Sequence, residues 1–152
     1  MKQITTILAV LVSFTMSAQL SSVTENSKTG QRLTVSNAAN HGDIGSNAVD
    51  LSYSNSSSTT IGATGNYSIA MGYEPTASHD ASTAIGSSTV ASGWASTAMG
   101  LSTTASNSFS TSMGKYTQAS GNASTTMGES TTASGEQSTS MGKNTTASGS
   151  RS

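Results

Sequence analysis

The chain has 152 residues and a formal net charge of −1; 33% of it is hydrophobic, 9% is charged, and it contains no cysteine. That excludes a disulfide-stapled scaffold, and six Lys and Arg against seven Asp and Glu leave no basic patch for nucleic acid or an anionic membrane. So little apolar and charged material reads by composition as disordered, unless a repeating pattern supplies order instead.

The first element is a leader. Lys2 gives one positive charge, residues 4–14 are apolar, and the small residues Ser17 and Ala18 precede Gln19, which together predict a secretory signal peptide over 1–18. The apolar run is too short to span a bilayer as a helix. Residues 19–64 keep no regular period and are expected to form a flexible segment followed by a solenoid cap. Residues 21–30 are polar and expected to be flexible. Residues 48–53 alternate apolar and polar side chains and predict a short strand. Thr60-Ile61-Gly62 looks like a repeat ending, but Gly62 lies ten residues before Gly72, as a shortened first rung would.

From residue 65 to 152 the chain is periodic. Gly72, Gly86, Gly100, Gly114, Gly128 and Gly142 recur every fourteen residues, each after Met or Ile. With the glycine as position 1, the consensus is G-x-x-T-T-A-S-G-x-A-S-T-A-M. Each unit is too small to bury a core alone and must stack on its neighbours. Fourteen residues suit a β-coil of two short strands and two tight turns, while dense Thr and Ser disfavour helix. Strand one is expected at positions 11–14 and strand two at positions 4–7, with turns supplied by Gly at position 1 and by Gly or Asn at position 8.

Position 14 holds Met71, Ile85, Met99, Met113, Met127 and Met141, the one strongly apolar column and hence the expected buried ladder. Strand alternation puts positions 12 and 14 on one face and 11 and 13, Ser and Ala, on the other. One face lines the narrow interior and the other looks outward. The smooth Ser/Ala side would let another backbone approach closely, so strand one is expected to be buried on both sides in a trimer. The variable positions 2, 3, 9 and 10 then lie outside, with Tyr73, Trp94, Phe109 and Tyr116 as candidate contacts.

Ser68-Ile69-Ala70-Met71-Gly72, Ser82-Thr83-Ala84-Ile85-Gly86 and Ser96-Thr97-Ala98-Met99-Gly100, each followed by an Ala-Ser pair such as Ala77-Ser78, closely resemble the head repeats of YadA-like trimeric autotransporter adhesins. The resemblance covers residues 65–152. It implies a left-handed parallel β-roll, a homotrimer, export to the outer membrane surface or beyond, and non-enzymatic attachment to matrix, host or neighbouring cells. Two departures stand out. Thr replaces the Val of the S-V-A-I-G motif in most rungs, and Ser112, Thr126 and Ser140 replace its Ala, so the later rungs are more polar. No stalk or barrel motif follows residue 149, so the chain is expected to be a fragment or a truncated product.

Catalytic and metal chemistry has no footing in the sequence. His41 and His79 have no ligand spacing, and Asp43 and Asp50 are more readily turn or capping residues than paired carboxylates. No cofactor, small-molecule substrate or nucleic-acid partner is expected, and the ligand is expected to be an extracellular surface of unknown identity. Two other readings stand beside the adhesin. One is ice binding through Thr89, Thr103, Thr117, Thr131 and Thr145 at position 4 and Thr104, Thr132 and Thr146 beside them. The other is a spacer that displays a further domain.

Overall fold

Stacking repeats edge to edge gives every strand amide a partner in the rung above or below, and this pairing organises the whole molecule. The computed structural model describes residues 20–152; the expected signal peptide, 1–18, lies outside them. The described chain is all-β apart from one turn of 3-10 helix, Ala38–Asn40, and it winds into a β-solenoid of about eight stacked parallel coils. From residue 69 onward each rung contributes one five-residue strand and one two-residue strand. The long strands are β5 (Ile69–Tyr73), β7 (Thr83–Ser87), β9 (Thr97–Leu101), β11 (Thr111–Lys115), β13 (Thr125–Glu129) and β15 (Thr139–Lys143). The short ones are β6 (Thr76–Ala77), β8 (Val90–Ala91), β10 (Thr104–Ala105), β12 (Gln118–Ala119), β14 (Thr132–Ala133) and β16 (Thr146–Ala147).

Four elements precede them: β1 (Leu20–Glu25), β2 (Lys28–Leu33), β3 (Val49–Tyr53) and β4 (Gly62–Ala63). The long strands form one nine-stranded sheet that begins β1-β2-β3-β5, and the short strands form a seven-stranded sheet. Pairing from β3 onward is parallel and in register, so Leu51, Met71, Ile85, Met99, Met113, Met127 and Met141 stand in one column.

The long strand runs from position 12 through the glycine to position 2, rather than over 11–14. The expected second strand, 4–7, shortens to positions 5–6, although bonds such as Ser92 N–H to Ala105 O (2.9 Å) continue the ladder on its far side. Position 8 opens the second turn as expected, with the position 11 amide closing onto its carbonyl (Ser110 to Asn107 O at 3.2 Å), whereas the position 1 glycines, though at positive φ, lie inside the long strand. Within the repeats the non-glycine residues with left-handed backbone are at position 3 (Glu74, Ser88, Ser102, Tyr116, Ser130, Asn144) and position 10 (Tyr67, Ala81, Ala95, Phe109, Ala123, Gln137, Arg151). Each of these amides bonds a carbonyl one rung back, for example Ser102 to Ser87 O at 2.8 Å and Ala123 to Ser108 O at 2.9 Å, which offsets the local cost of about 1–3 kcal/mol. Ser at position 11 pins the second turn: the hydroxyls of Ser68, Ser124 and Ser138 donate to the position 8 carbonyl at 2.7 Å.

The glycines instead allow close stacking. At Gly100, with φ +124°, a Cβ would sit 1.9 Å from Gly114 O; at Gly93 in column 8 it would sit 2.0 Å from Asn107 O.

The interior also corrects the expected inside and outside of strand one. Ala70, Ala84 and Ala98, then Ser112, Thr126 and Ser140, point inward and are buried, together with Ala77, Ala91, Ala105, Ala119 and Ala133 from the opposite sheet. The position 14 column lies on the outer face; within the single chain Met99 is 37% exposed and Met141 57%. The two sheets stand too close for anything larger than Ala, Ser or Thr, and volume decides where hydrophobicity alone would have placed methionine. Thr at position 4 fills the remaining space. Where position 13 is Ser, its hydroxyl pairs with that Thr: Ser112 with Thr117 at 2.7 Å and Ser140 with Thr145 at 2.9 Å. Where position 13 is Ala, the hydroxyls of Thr89 and Thr103 are buried without a partner.

Residues 21–30, expected as flexible, form the β1–β2 hairpin, turned at Asn26 and Ser27 with φ 47° and 64°. The hairpin covers the edge of β3 through the pairs Gln31↔Val49 and Arg32↔Asp50. The expected strand at 48–53 is β3.

Two outcomes follow from this interior. Gly100→Ala forces a methyl into the next rung's backbone and is expected to lower stability by about 2–4 kcal/mol, read as a fall in melting temperature and loss of β signal in circular dichroism. Thr103→Val removes an unpartnered buried hydroxyl at constant shape and is expected to stabilise by about 1 kcal/mol, whereas Thr117→Val loses the bond to Ser112 and costs about 1 kcal/mol; thermal melts of the pair compare the two.

Candidate functional site: a binding surface on the outer faces of the roll

The polar residues singled out in the sequence belong to the cap. Arg32, 3% exposed, donates from Nε to Asp50 Oδ2 (3.1 Å), from Nη1 and Nη2 to Glu25 (2.8 and 3.2 Å), and from Nη2 to Gly42 O (2.8 Å). Glu25 also accepts the Ile44 amide at 2.7 Å, and Asp50 Oδ1 accepts from the Ser52 amide and hydroxyl. One buried cation thus ties β1, β2, β3 and the 41–44 loop together, with its bonding capacity largely used, which is the condition for tolerating buried charge. His41 is buried beside this cluster with Nδ1 unpartnered. Burial holds its pKa below the ordinary value and Arg32 pushes the same way, against opposing pulls from Asp50 and Glu25. Asp43 lies outside the cluster and accepts from Asn26 Nδ2, while His79 is exposed on its ring side and takes the Asp80 amide on Nδ1 at 2.9 Å. No group of three or more metal-ligating side chains converges among the described residues.

The outer face of the nine-stranded sheet carries positions 12, 14 and 2. At its first two rungs all three are apolar: Val49, Leu51 and Tyr53, then Ile69, Met71 and Tyr73. The Tyr53 and Tyr73 rings lie tilted by 38° with centroids 6.3 Å apart, and the Tyr73 hydroxyl donates to Asn55 Oδ1 at 3.2 Å. Burial, reinforced by the Glu74 carboxylate, raises the Tyr73 pKa. Farther along, position 12 becomes Thr and position 2 becomes Lys115, Glu129 and Lys143. Glu129 bridges the two lysines at 3.4 and 3.3 Å, and they lower its pKa, Lys143 more than Lys115. Tyr116, 55% exposed, lies beneath the Lys115 ammonium, 5.1 Å from its ring centre.

The four aromatic candidates therefore divide between two corners. Tyr73 and Tyr116 lie at the turn after strand one, with Tyr53, which the sequence reading had not singled out. Trp94 and Phe109 meet at the opposite corner, where the second turn leads into strand one, as an edge-to-face pair 4.7 Å apart. Tyr67, also missed and 66% exposed, occupies the same position 10 as Phe109 but three rungs earlier. Spacing signals none of these pairings, because position 9 of one rung meets position 10 of the next only after the chain has coiled.

The position 4 threonines proposed for ice recognition face the interior: Thr89, Thr103 and Thr131 are fully buried and Thr117 is 1% exposed. That ladder is not on the surface.

The model of the YadA head domain repeat matches residues 63–89, 91–117, 119–145 and 133–152. No curated protein matches the chain.

The buried imidazole makes the cap sensitive to acid. With the His41 pKa lowered by folding, native and unfolded chains are both neutral there above about pH 6.5; below that the unfolded chain takes up the proton first, so stability falls with pH until the native pKa is passed. Amide exchange in β1 and β2, corrected for intrinsic rate, is expected to be faster at pH 5 than at pH 7.5. His41→Gln should remove that part of the pH dependence.

Proposed function

The chain belongs to the YadA head-repeat family of adhesin-type surface heads, and on that footing we propose that it is the head of a trimeric, non-enzymatic adhesin displayed outside the cell. The observation that carries the trimer is the seven-residue apolar column from Leu51 to Met141 on the outer face of the long sheet. At about 4.8 Å per rung it extends about 29 Å, and Met71, Met99 and Met141 are 39%, 37% and 57% exposed in the single chain. A continuous apolar stripe of that length on a chain otherwise surfaced with Ser and Thr marks a contact with other protein. The stripe is widest at β3 and β5, where Tyr53, Ile69 and Tyr73 flank it, so the firmest contact between protomers lies at the cap end.

Packing the stripes of three chains together leaves the short-strand sheet and the second-turn corner of each protomer facing outward. Three copies of any weak surface contact then act together, and avidity supplies the attachment strength that a single site lacks. The leader expected over 1–18 would direct export, and the rod would hold the contact surface away from the membrane.

Light scattering at micromolar concentration is expected to give three times the protomer mass. Met99→Glu with Met113→Glu, two charges at the middle of the stripe, is expected to give monomers that keep the β signal in circular dichroism. A monomeric unsubstituted chain would sink the reading.

A further inference from the structure

At the second-turn corner, Trp94 and Phe109 present an aromatic pair that the fold does not need. Position 10 is a left-handed turn residue filled by Ala in three rungs, yet Phe109 stands there at φ 58°, a conformation that bulky side chains rarely adopt. Trp94 remains 46% exposed and Phe109 54%. The two are joined by their backbone, Phe109 N–H to Trp94 O at 2.8 Å, and edge to face by their rings. A pair of rings that bury only about half their surface and that the turn does not require points to use rather than packing.

The surroundings narrow the ligand. Ser92 and Ser106 stand two residues before Trp94 and Ser108, and Asn122 follows one rung on. Among the described residues, the side chains of Ser92, Ser106, Ser108 and Asn122 have no intrachain hydrogen bond. Among the described residues no Lys or Arg lies at this corner within a rung of the pair; its ionisable groups there are His79 and Asp80, of which Asp80 accepts the Asn66 amide at 3.2 Å and His79 Nδ1 accepts the Asp80 amide at 2.9 Å. Apolar ring faces beside unpaired hydroxyl and amide groups, with little net charge, are complementary to a molecule that carries C–H faces and hydroxyls on the same ring. The C–H groups of a pyranose meet the electron-rich face of an aromatic ring, and its hydroxyls exchange donors and acceptors with Ser and Asn.

We propose that the corner formed by Trp94, Phe109, Ser92, Ser106 and Asn122 is a binding site for a neutral polysaccharide. This deepens the adhesin reading by giving the attached surface a chemical class, and it rests on that reading only for its biological sense, since the corner binds as well in one chain as in three.

Trp94 is the single tryptophan of the protein, so its fluorescence reports this corner alone. The full-length protein is titrated with hydroxyethylcellulose, laminarin and dextran, with heparin as the charged comparison. The expected result is a saturable blue shift of Trp94 emission with at least one neutral polymer and none with heparin. Retardation of the protein in a gel containing that polymer is expected to weaken at least about tenfold for Trp94→Ala and for Phe109→Ala, with light scattering and circular dichroism unchanged. Phe109→Ala places the residue other rungs already use at this turn, so it tests the site even where Trp94→Ala disturbs the fold. No shift or retardation with any of the three polymers overturns the proposal, as does binding that survives both substitutions, or a Trp94 shielded from acrylamide quenching in the assembled protein. A monomer that still binds the polymer would count against the trimer and leave the site standing.

Discussion

Backbone hydrogen bonds running along the axis hold this molecule together, and almost every other feature follows from keeping them in register. A single net amide–carbonyl bond contributes only about 0.5–1.5 kcal/mol, but each rung here bonds to the next through both sheets and both turns. The glycine columns are the geometric condition for that contact. At Gly72, Gly86, Gly100, Gly114 and Gly128 the next rung's carbonyl oxygen occupies the space a Cβ would need. Spacing between rungs and the identity of position 1 are one constraint seen from two sides.

Close stacking within each sheet is matched by close approach of the two sheets, and this sorts side chains by volume. In the regular rungs alanine, serine and threonine go inside, with larger Ile44 admitted only in the cap, while methionine goes outside. A protein that keeps its small residues for the core and its large apolar ones for the surface cannot complete its burial alone. The outer stripe is therefore a consequence of a thin interior as much as a device for assembly, and the proposed trimer would supply the hydrophobic burial that the roll itself forgoes.

The period, the β character and the head-repeat family were legible because they depend on spacing, which one sequence displays in six copies. The two faces of strand one were not assigned correctly. Hydrophobicity ranks Met71 to Met141 above Ala70 to Ser140, and no property of a single column reveals how far apart two sheets will stand. The first turn was misplaced for a related reason. Glycine at position 1 does carry a positive φ, but within the long strand, and the left-handed turn residues proper are Ser102, Ala123 and Phe109, where hydrogen bonds to the neighbouring rung select them. The cap was least legible: residues 21–30 are polar and unremarkable until Arg32 meets Asp50 and Glu25, and that meeting depends on a parallel register between β2 and β3. Tyr73, Trp94, Phe109 and Tyr116 were identified as exposed, but their division into two corners needed the coil.

Both faces of the long sheet change in the same direction along the rod. Inside, position 13 goes from Ala70, Ala84 and Ala98 to Ser112, Thr126 and Ser140, and the later hydroxyls link to one another and to Thr117 and Thr145, with Thr126 donating to Ser112 at 3.0 Å. Outside, position 2 goes from Tyr53 and Tyr73 to Lys115, Glu129 and Lys143. Apolar contact thus dominates near the cap, and directional polar contact dominates farther along. Hydroxyl pairs and charge ladders are satisfied in only one alignment, whereas apolar surfaces tolerate sliding. The cap end therefore carries most of the apolar surface, inside and out, and the polar rungs hold the rod to a single register.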